Sequence, residues 1–204
     1  MTNATHMPST AGRFARAFAV SAIVILGATA CGGGGSSAGP EDSSAASTAP
    51  DAEKATEALD AGLKAHADGD LEAAVESYNT VLDYDATNKF AFYNLALIDE
   101  SEGNYGLAEE KYRSALEADP AYEPALFNLA ILRTDNDPEE AISLYKQAVA
   151  ADKKDAAAWL NLGLLLRSNG QEREGDRDVL RAIALNPDLV DPAEAVSDDE
   201  TTSP

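Results

Sequence analysis

Between residues 55 and 189, apolar side chains recur three and four positions apart, in runs broken by short polar stretches rich in Asp, Asn and Gly. A helical turn takes about 3.6 residues, so this spacing gathers the apolar side chains on one helix face. Three runs share a core: Phe92-Tyr93-Asn94-Leu95-Ala96, Leu126-Phe127-Asn128-Leu129-Ala130 and Trp159-Leu160-Asn161-Leu162-Gly163, at spacings of 34 and 33 residues. A polar turn and a second amphipathic run follow each one, from Ala108 to Leu116, Ala141 to Val149 and Gly175 to Ile183. A more divergent copy begins at Ala55, with Gly62, Gly69, Ala74 and Tyr78 in register. The unit is therefore a pair of helices. One pair cannot bury its apolar face alone, so the copies must stack. Small residues at Gly62, Ala96, Ala130 and Gly163 admit a close second helix, and Tyr78, Tyr112 and Tyr145 fill the gap to the next pair. Asp137-Pro138-Glu139-Glu140 reads as a helix start, with an Asp N-cap, Pro in the first turn and a capping-box Glu.

This order of residues resembles the tetratricopeptide-repeat family. The second unit, from Lys89, carries the pattern in Phe92, Leu95, Ala96, Gly103, Ala108, Tyr112, Ala115 and Pro120. The fourth, from Ala156, carries it in Trp159, Leu162, Gly163, Gly170, Ala182 and Pro187, but has Gly175 where Ala is usual and Val179 where an aromatic is usual. The third, from Glu123, fits once one residue is deleted at its turn, which brings Ala141, Tyr145 and Ala148 into place. The resemblance spans 55–88, 89–122, 123–155 and 156–189. It implies an all-α domain, a right-handed superhelix of about four helix-turn-helix hairpins with a concave face.

In that family, ligands lie along the first helix of each hairpin. The resemblance places Leu59 and Leu63, Tyr93 and Leu97, Phe127 and Ile131, and Leu160 and Leu164 on that face, extended by Phe90. Each pair is four residues apart and so shares a helix face. Exposed apolar area of this kind marks a partner-binding groove; the other reading is that tight winding, or the chain's own tail, covers it. Asn94, Asn128 and Asn161 recur at one repeat position, where an amide offers both donor and acceptor to an extended peptide. They serve equally well as bonds within the scaffold. The basic clamp of chaperone-binding relatives is missing, since its positions are Leu59, Pro124 and Asn128. Asp99 and Arg133 occupy equivalent places in successive hairpins and suggest an ion pair between them.

Residues 1–30 read as a secretory signal. Arg13 and Arg16 precede the apolar run Ala17 to Leu26, which is shorter than the ~18 residues a membrane span needs. Gly27-Ala28-Thr29-Ala30-Cys31 then resembles the lipobox of bacterial lipoproteins, which implies a diacylglycerol on Cys31. The match is weaker at Ala28, and cleavage after Ala30 with Cys31 left bare is the alternative. Residues 31–54, rich in Gly, Ser, Ala and Pro, read as a flexible tether, roughly 25 Å in reach for about 20 residues.

Charge and chemistry narrow the function. Fifteen Lys and Arg against 36 Asp and Glu give a net charge of -21, which repels phosphate backbones and excludes nucleic acid as a partner. Cys31 is the single cysteine, so no intramolecular disulfide forms. Beyond the signal only His66 remains, expected on the surface, and no metal, cofactor or nucleophile motif is present. The sequence therefore points to a binding protein with no cofactor, not an enzyme. Its localisation is expected to be the extracytoplasmic face of a bacterial cell membrane, where it holds a protein or peptide, or alternatively a lipid or hydrophobic small molecule. A narrower resemblance is to repeat lipoproteins that assist assembly of pili or outer-membrane proteins. After Leu189, residues 190–204 read as an acidic, disordered tail, so Val179, Ile183 and Leu185 end the array without a capping helix. They are expected to be partly exposed or to meet a partner or a second copy, giving a homo-oligomer through the C-terminal face.

Overall fold

The computed structural model describes residues 49–191. The expectations for the signal, Cys31, most of the tether and residues 192–204 lie outside them. Eight helices follow one another: α1 (Ala49–Asp68), α2 (Leu71–Tyr84), α3 (Lys89–Ser101), α4 (Tyr105–Ala118), α5 (Glu123–Arg133), α6 (Pro138–Ala151), α7 (Ala156–Ser168) and α8 (Glu172–Leu185). Among the described residues there is no strand, and no helix is long and apolar enough to cross a membrane. Consecutive helices pair as four hairpins, α1–α2 to α7–α8, and each hairpin packs on the next. α1 begins at Ala49, inside the stretch expected as tether.

Local chemistry sets where each helix begins. Asp70, Asn88, Asp137 and Asp155 cap α2, α3, α6 and α7, each side chain accepting from backbone N–H groups of the first turn. Within three hairpins the first helix ends at a Gly with positive φ, +81° at Gly69 and Gly103 and +77° at Gly170. The next residue then donates back five positions, as Asn104 N does to Asp99 O at 2.8 Å. The third hairpin lacks that Gly and turns one residue earlier. There Asp137 N donates to Arg133 O at 2.7 Å, four positions back. The deletion expected at this turn is thus the loss of its left-handed residue.

The core repeats as the sequence implies. Tyr78, Tyr112 and Tyr145, each the eighth residue of its helix, are buried, as are Ala96 and Ala130 opposite them. A Cβ on Gly62 would lie 2.6 Å from Cε1 of Tyr78, so the small residue makes room for the ring. In the last hairpin the two departures from the family pattern explain each other. Val179 stands where the tyrosine would, and α7 and α8 close to backbone contact. A Cβ on Gly175 would lie 2.5 Å from the Gly163 carbonyl oxygen, and one on Gly163 would lie 2.8 Å from that of Gly175.

The C-terminal end leaves Ile183 and Leu185 partly exposed as expected, but departs from expectation at Val179 and Asp191. Val179 is fully buried and Ile183 half-buried, while Leu180, Leu185 and Val190 are the exposed apolar residues. Asp191, expected in the tail, is only 7% exposed. Arg167 of α7 grips it through two parallel bonds, Nη1 to Oδ1 at 2.7 Å and Nη2 to Oδ2 at 2.8 Å, and reaches Asp176 of α8 at 2.7 Å. Such a fork ties the returning chain to both helices of the final hairpin.

Candidate partner-binding groove

The fifth and ninth repeat positions fall on α1, α3, α5 and α7, and those of the first three of these helices meet the core. Leu59 and Leu63 pack partly against the cluster built on Tyr78, Val81, Leu95 and Ile98. Leu97, Phe127 and Ile131 pack partly against a second, larger cluster running through hairpins two to four. Leu160 and Leu164 are half-buried on α7, and Phe90 is 43% exposed. Tyr93 is the exception, being buried. Its ring lies 5.8 Å from Tyr112 and 5.4 Å, edge-on, from Tyr122, while Phe90 meets Tyr122 at 5.7 Å and Phe127 meets Tyr145 at 5.9 Å.

Tyr122 is the residue that sequence reasoning missed. It holds the N-cap place of α5, where the preceding and following hairpins use Asn88 and Asp155. An aromatic at a capping position was the available signal. Lys89 sits 5.0 and 5.1 Å from the centres of the Tyr122 and Phe90 rings and 2.5 Å from Asp119 Oδ2, which fixes this edge of the groove.

The three asparagines do different things. Asn94 Nδ2 donates to Phe90 O on its own helix at 2.8 Å, Asn128 Nδ2 donates to the Tyr93 hydroxyl across hairpins at 3.1 Å, and Asn161 lies beside the Tyr145 hydroxyl with Thr134. Burial pushes the Tyr93 and Tyr145 hydroxyls up to about 12, and those of Tyr112 and Tyr122 further. These phenols stay neutral at physiological pH. Glu100 accepts from the Tyr112 hydroxyl at 2.8 Å. The face is therefore apolar and aromatic, with its few polar atoms held by neighbours. Among the described residues no three His, Cys, Asp or Glu side chains are grouped to hold a metal ion.

The tetratricopeptide-repeat pattern matches residues 55–123 and 131–188. The chain belongs to the tetratricopeptide-repeat family. No curated protein matches its sequence. Among solved structures it is similar to MamA from Desulfovibrio magneticus RS-1, at 20% identity and a TM-score of 0.59 over 67% of this chain and 78% of that one. It is also similar to pilF of Pseudomonas aeruginosa (22%, 0.60, 69% and 64%) and to a tetratricopeptide-repeat protein from Parabacteroides merdae (22%, 0.59, 68% and 56%). At these identities the likeness shows the fold. Proteins of the tetratricopeptide-repeat family generally mediate protein–protein interactions.

Two expectations about polar residues of this repeat domain are corrected. Asp99 does not pair with Arg133: it pairs with Lys111 of its own hairpin. Arg133 instead meets Glu109 of α4 at 3.3 Å and Glu140 of α6 at 2.7 Å. Equivalent places on successive first helices point toward the second helix of a hairpin, not toward each other. His66 is half-buried, its Nδ1 3.5 Å from the Tyr78 hydroxyl and its ring edge-on to Tyr78 at 6.4 Å, and burial lowers its pKa.

Proposed function

We propose that this chain is a scaffold that holds a segment of a partner protein along the first-helix face of its hairpins, while a lipid on Cys31 keeps it on the outer face of a membrane. One observation carries the groove reading. The same two register positions of α1, α3, α5 and α7 bear apolar side chains, and all but Tyr93 keep one side open to solvent. Water contact at so many aligned apolar positions is costly unless a partner covers them. The uncharged lining fits a segment whose contacting residues are themselves apolar. The lipid anchor rests on the sequence from Arg13 to Cys31.

The test is affinity capture from envelope extract with the full chain, beside a Leu97→Glu, Leu164→Glu variant of matched helicity. A protein retained by the first and lost by the second supports the scaffold. Equal retention by both rejects the groove, and lipid recovered with the wild type alone transfers the groove to a hydrophobic small molecule. For the anchor, Cys31→Ser is expected to move the chain from the detergent phase to the aqueous phase; unchanged partitioning rejects lipidation.

A further inference from the structure

At two of the three joints between hairpins, an ion pair closes the seam between second helices. The ninth residue of one second helix reaches the third residue of the next. Arg113 of α4 lies 2.7 Å from Glu140 of α6, and Lys146 of α6 lies 3.2 Å from Glu174 of α8. The first joint breaks this rule. There the ninth residue of α2 is Asn79 and the third residue of α4 is Leu107, which cannot pair. Leu107 is left 49% exposed. One turn earlier the contrast repeats: Val75 stands where Glu109 meets Arg133 at the next joint, and Asp99 turns back to Lys111.

Where the seam is open, the structure has a cleft of about 490 Å³ between α2, α3 and α4. Its inner side is apolar, made by Leu71, Val75, Leu95 and Ile98, the last two of them buried. Glu72 and Glu102 stand exposed on it, and the Asp99–Lys111 pair adds no net charge. Glu102 takes one hydrogen bond from Asn104 Nδ2 at 3.2 Å, which leaves its charge unanswered. The volume falls within the roughly 300–1,000 Å³ of ordinary ligand sites. An apolar floor with two carboxylates above it complements an aliphatic side chain flanked by cations.

We propose that this cleft is a second docking site, distinct from the first-helix groove, for a protein segment that places an aliphatic side chain between lysines or arginines. The aliphatic group occupies the floor against Val75 and Ile98, and the flanking cations meet Glu72 and Glu102. Of the three joints, this one alone lacks the ion pair between second helices, and Asn79, which stands in its place, lines the cleft.

The experiment uses the full chain and two synthetic hexapeptides, one with two leucines between lysines and one with glutamates in place of the lysines. Binding is followed by calorimetry and by amide shifts of the labelled protein. The lysine peptide is expected to shift amides of α2 and the second half of α3, to bind at least about tenfold better than the glutamate peptide, and to weaken with salt. Asn79→Arg with Leu107→Glu installs the pair found at the other joints, so it is expected to keep the melting temperature and lose at least about tenfold in affinity. Glu72→Gln with Glu102→Gln, both exposed, gives the same loss without touching the packing. Leu97→Glu with Leu164→Glu leaves the affinity unchanged, which separates this site from the first-helix groove. No binding of the lysine peptide, equal binding by the closed-seam variant, or loss in the groove variant overturns the proposal.

Discussion

Glu123 opens α5 at the place where Lys89 opens α3, yet the neighbour it faces carries the same sign. Lys89 pairs with Asp119, just past α4, whereas Glu123 faces Asp152 and Asp155, just past α6. Burial first, and then Asp155 and Asp152, push the Glu123 carboxyl up to about 8. Tyr93 and Tyr122 border it on the other side, neutral throughout this range. A carboxyl whose folded-state pKa lies above its unfolded value stabilises fully below the unfolded value and loses that contribution as pH rises through the folded one. For Glu123 the window runs from its ordinary 4.5 to about 8. Urea midpoints are therefore expected to fall between pH 5 and pH 8, and Glu123→Gln is expected to flatten that fall. If the substituted chain keeps the wild-type slope, Glu123 is not the titrating group. At pH 8 Glu123→Lys restores the arrangement of the preceding hairpin and is expected to stabilise by up to about 1 kcal/mol, read from the same curves.

At the scale of helices, one substitution made at two glycines separates packing from propensity. Gly175 lies inside α8 against the Gly163 carbonyl, so Gly175→Ala forces two backbones apart and is expected to cost about 1–3 kcal/mol of unfolding free energy. Gly106, in the first turn of α4, has open space where its Cβ would be. Gly106→Ala is expected to stabilise by roughly 0.5–1 kcal/mol, because Ala loses less backbone freedom on entering a helix. Denaturation of both variants checks the opposite signs. These helices were legible in the sequence because their period, caps and turn glycines are local signals: Asp137 caps α6 as read, and the missing turn residue of the third hairpin is visible as a one-residue gap. The partner of Asp99 was not legible. It depends on how far α3 is rotated against α4, and a fraction of a turn decides between Lys111 and a residue of the next hairpin. Tyr122 escaped for a similar reason, since its role comes from Phe90 and Tyr93 arriving beside it from α3. The half-buried groove residues were placed on their helices by register, but how deeply each lies depended on neighbours from other helices: Tyr112 and Tyr122 close on Tyr93, while Phe90 stays open.

A stacked array distributes its stability over joints, each hairpin depending on its neighbours alone. Here the joints are unequal. Hairpins two to four share one large apolar cluster, reinforced by Arg113, Arg133 and Lys146 reaching acidic residues across the seams. The first hairpin meets the second through the smaller cluster of Tyr78, Val81, Ala91, Leu95 and Ile98, beside the open cleft. At the far end, Arg167 grips Asp191 and Asp176 and ties the chain after α8 to the last hairpin. Opening should therefore begin at the amino-terminal hairpin, because that joint rests on the smaller apolar cluster. In native-state hydrogen exchange, amides of α1 and α2 are expected to open at a free energy well below those of α5 and α6, and α7 and α8 to stay near the central value. Asp191→Ala removes the C-terminal clamp and leaves the Arg167 charge partly unanswered, so it is expected to lower protection in α8 while α1 and α2 are unchanged. Uniform protection across all eight helices would mean that the array opens as a single unit, and that the difference between its joints is too small to govern its dynamics.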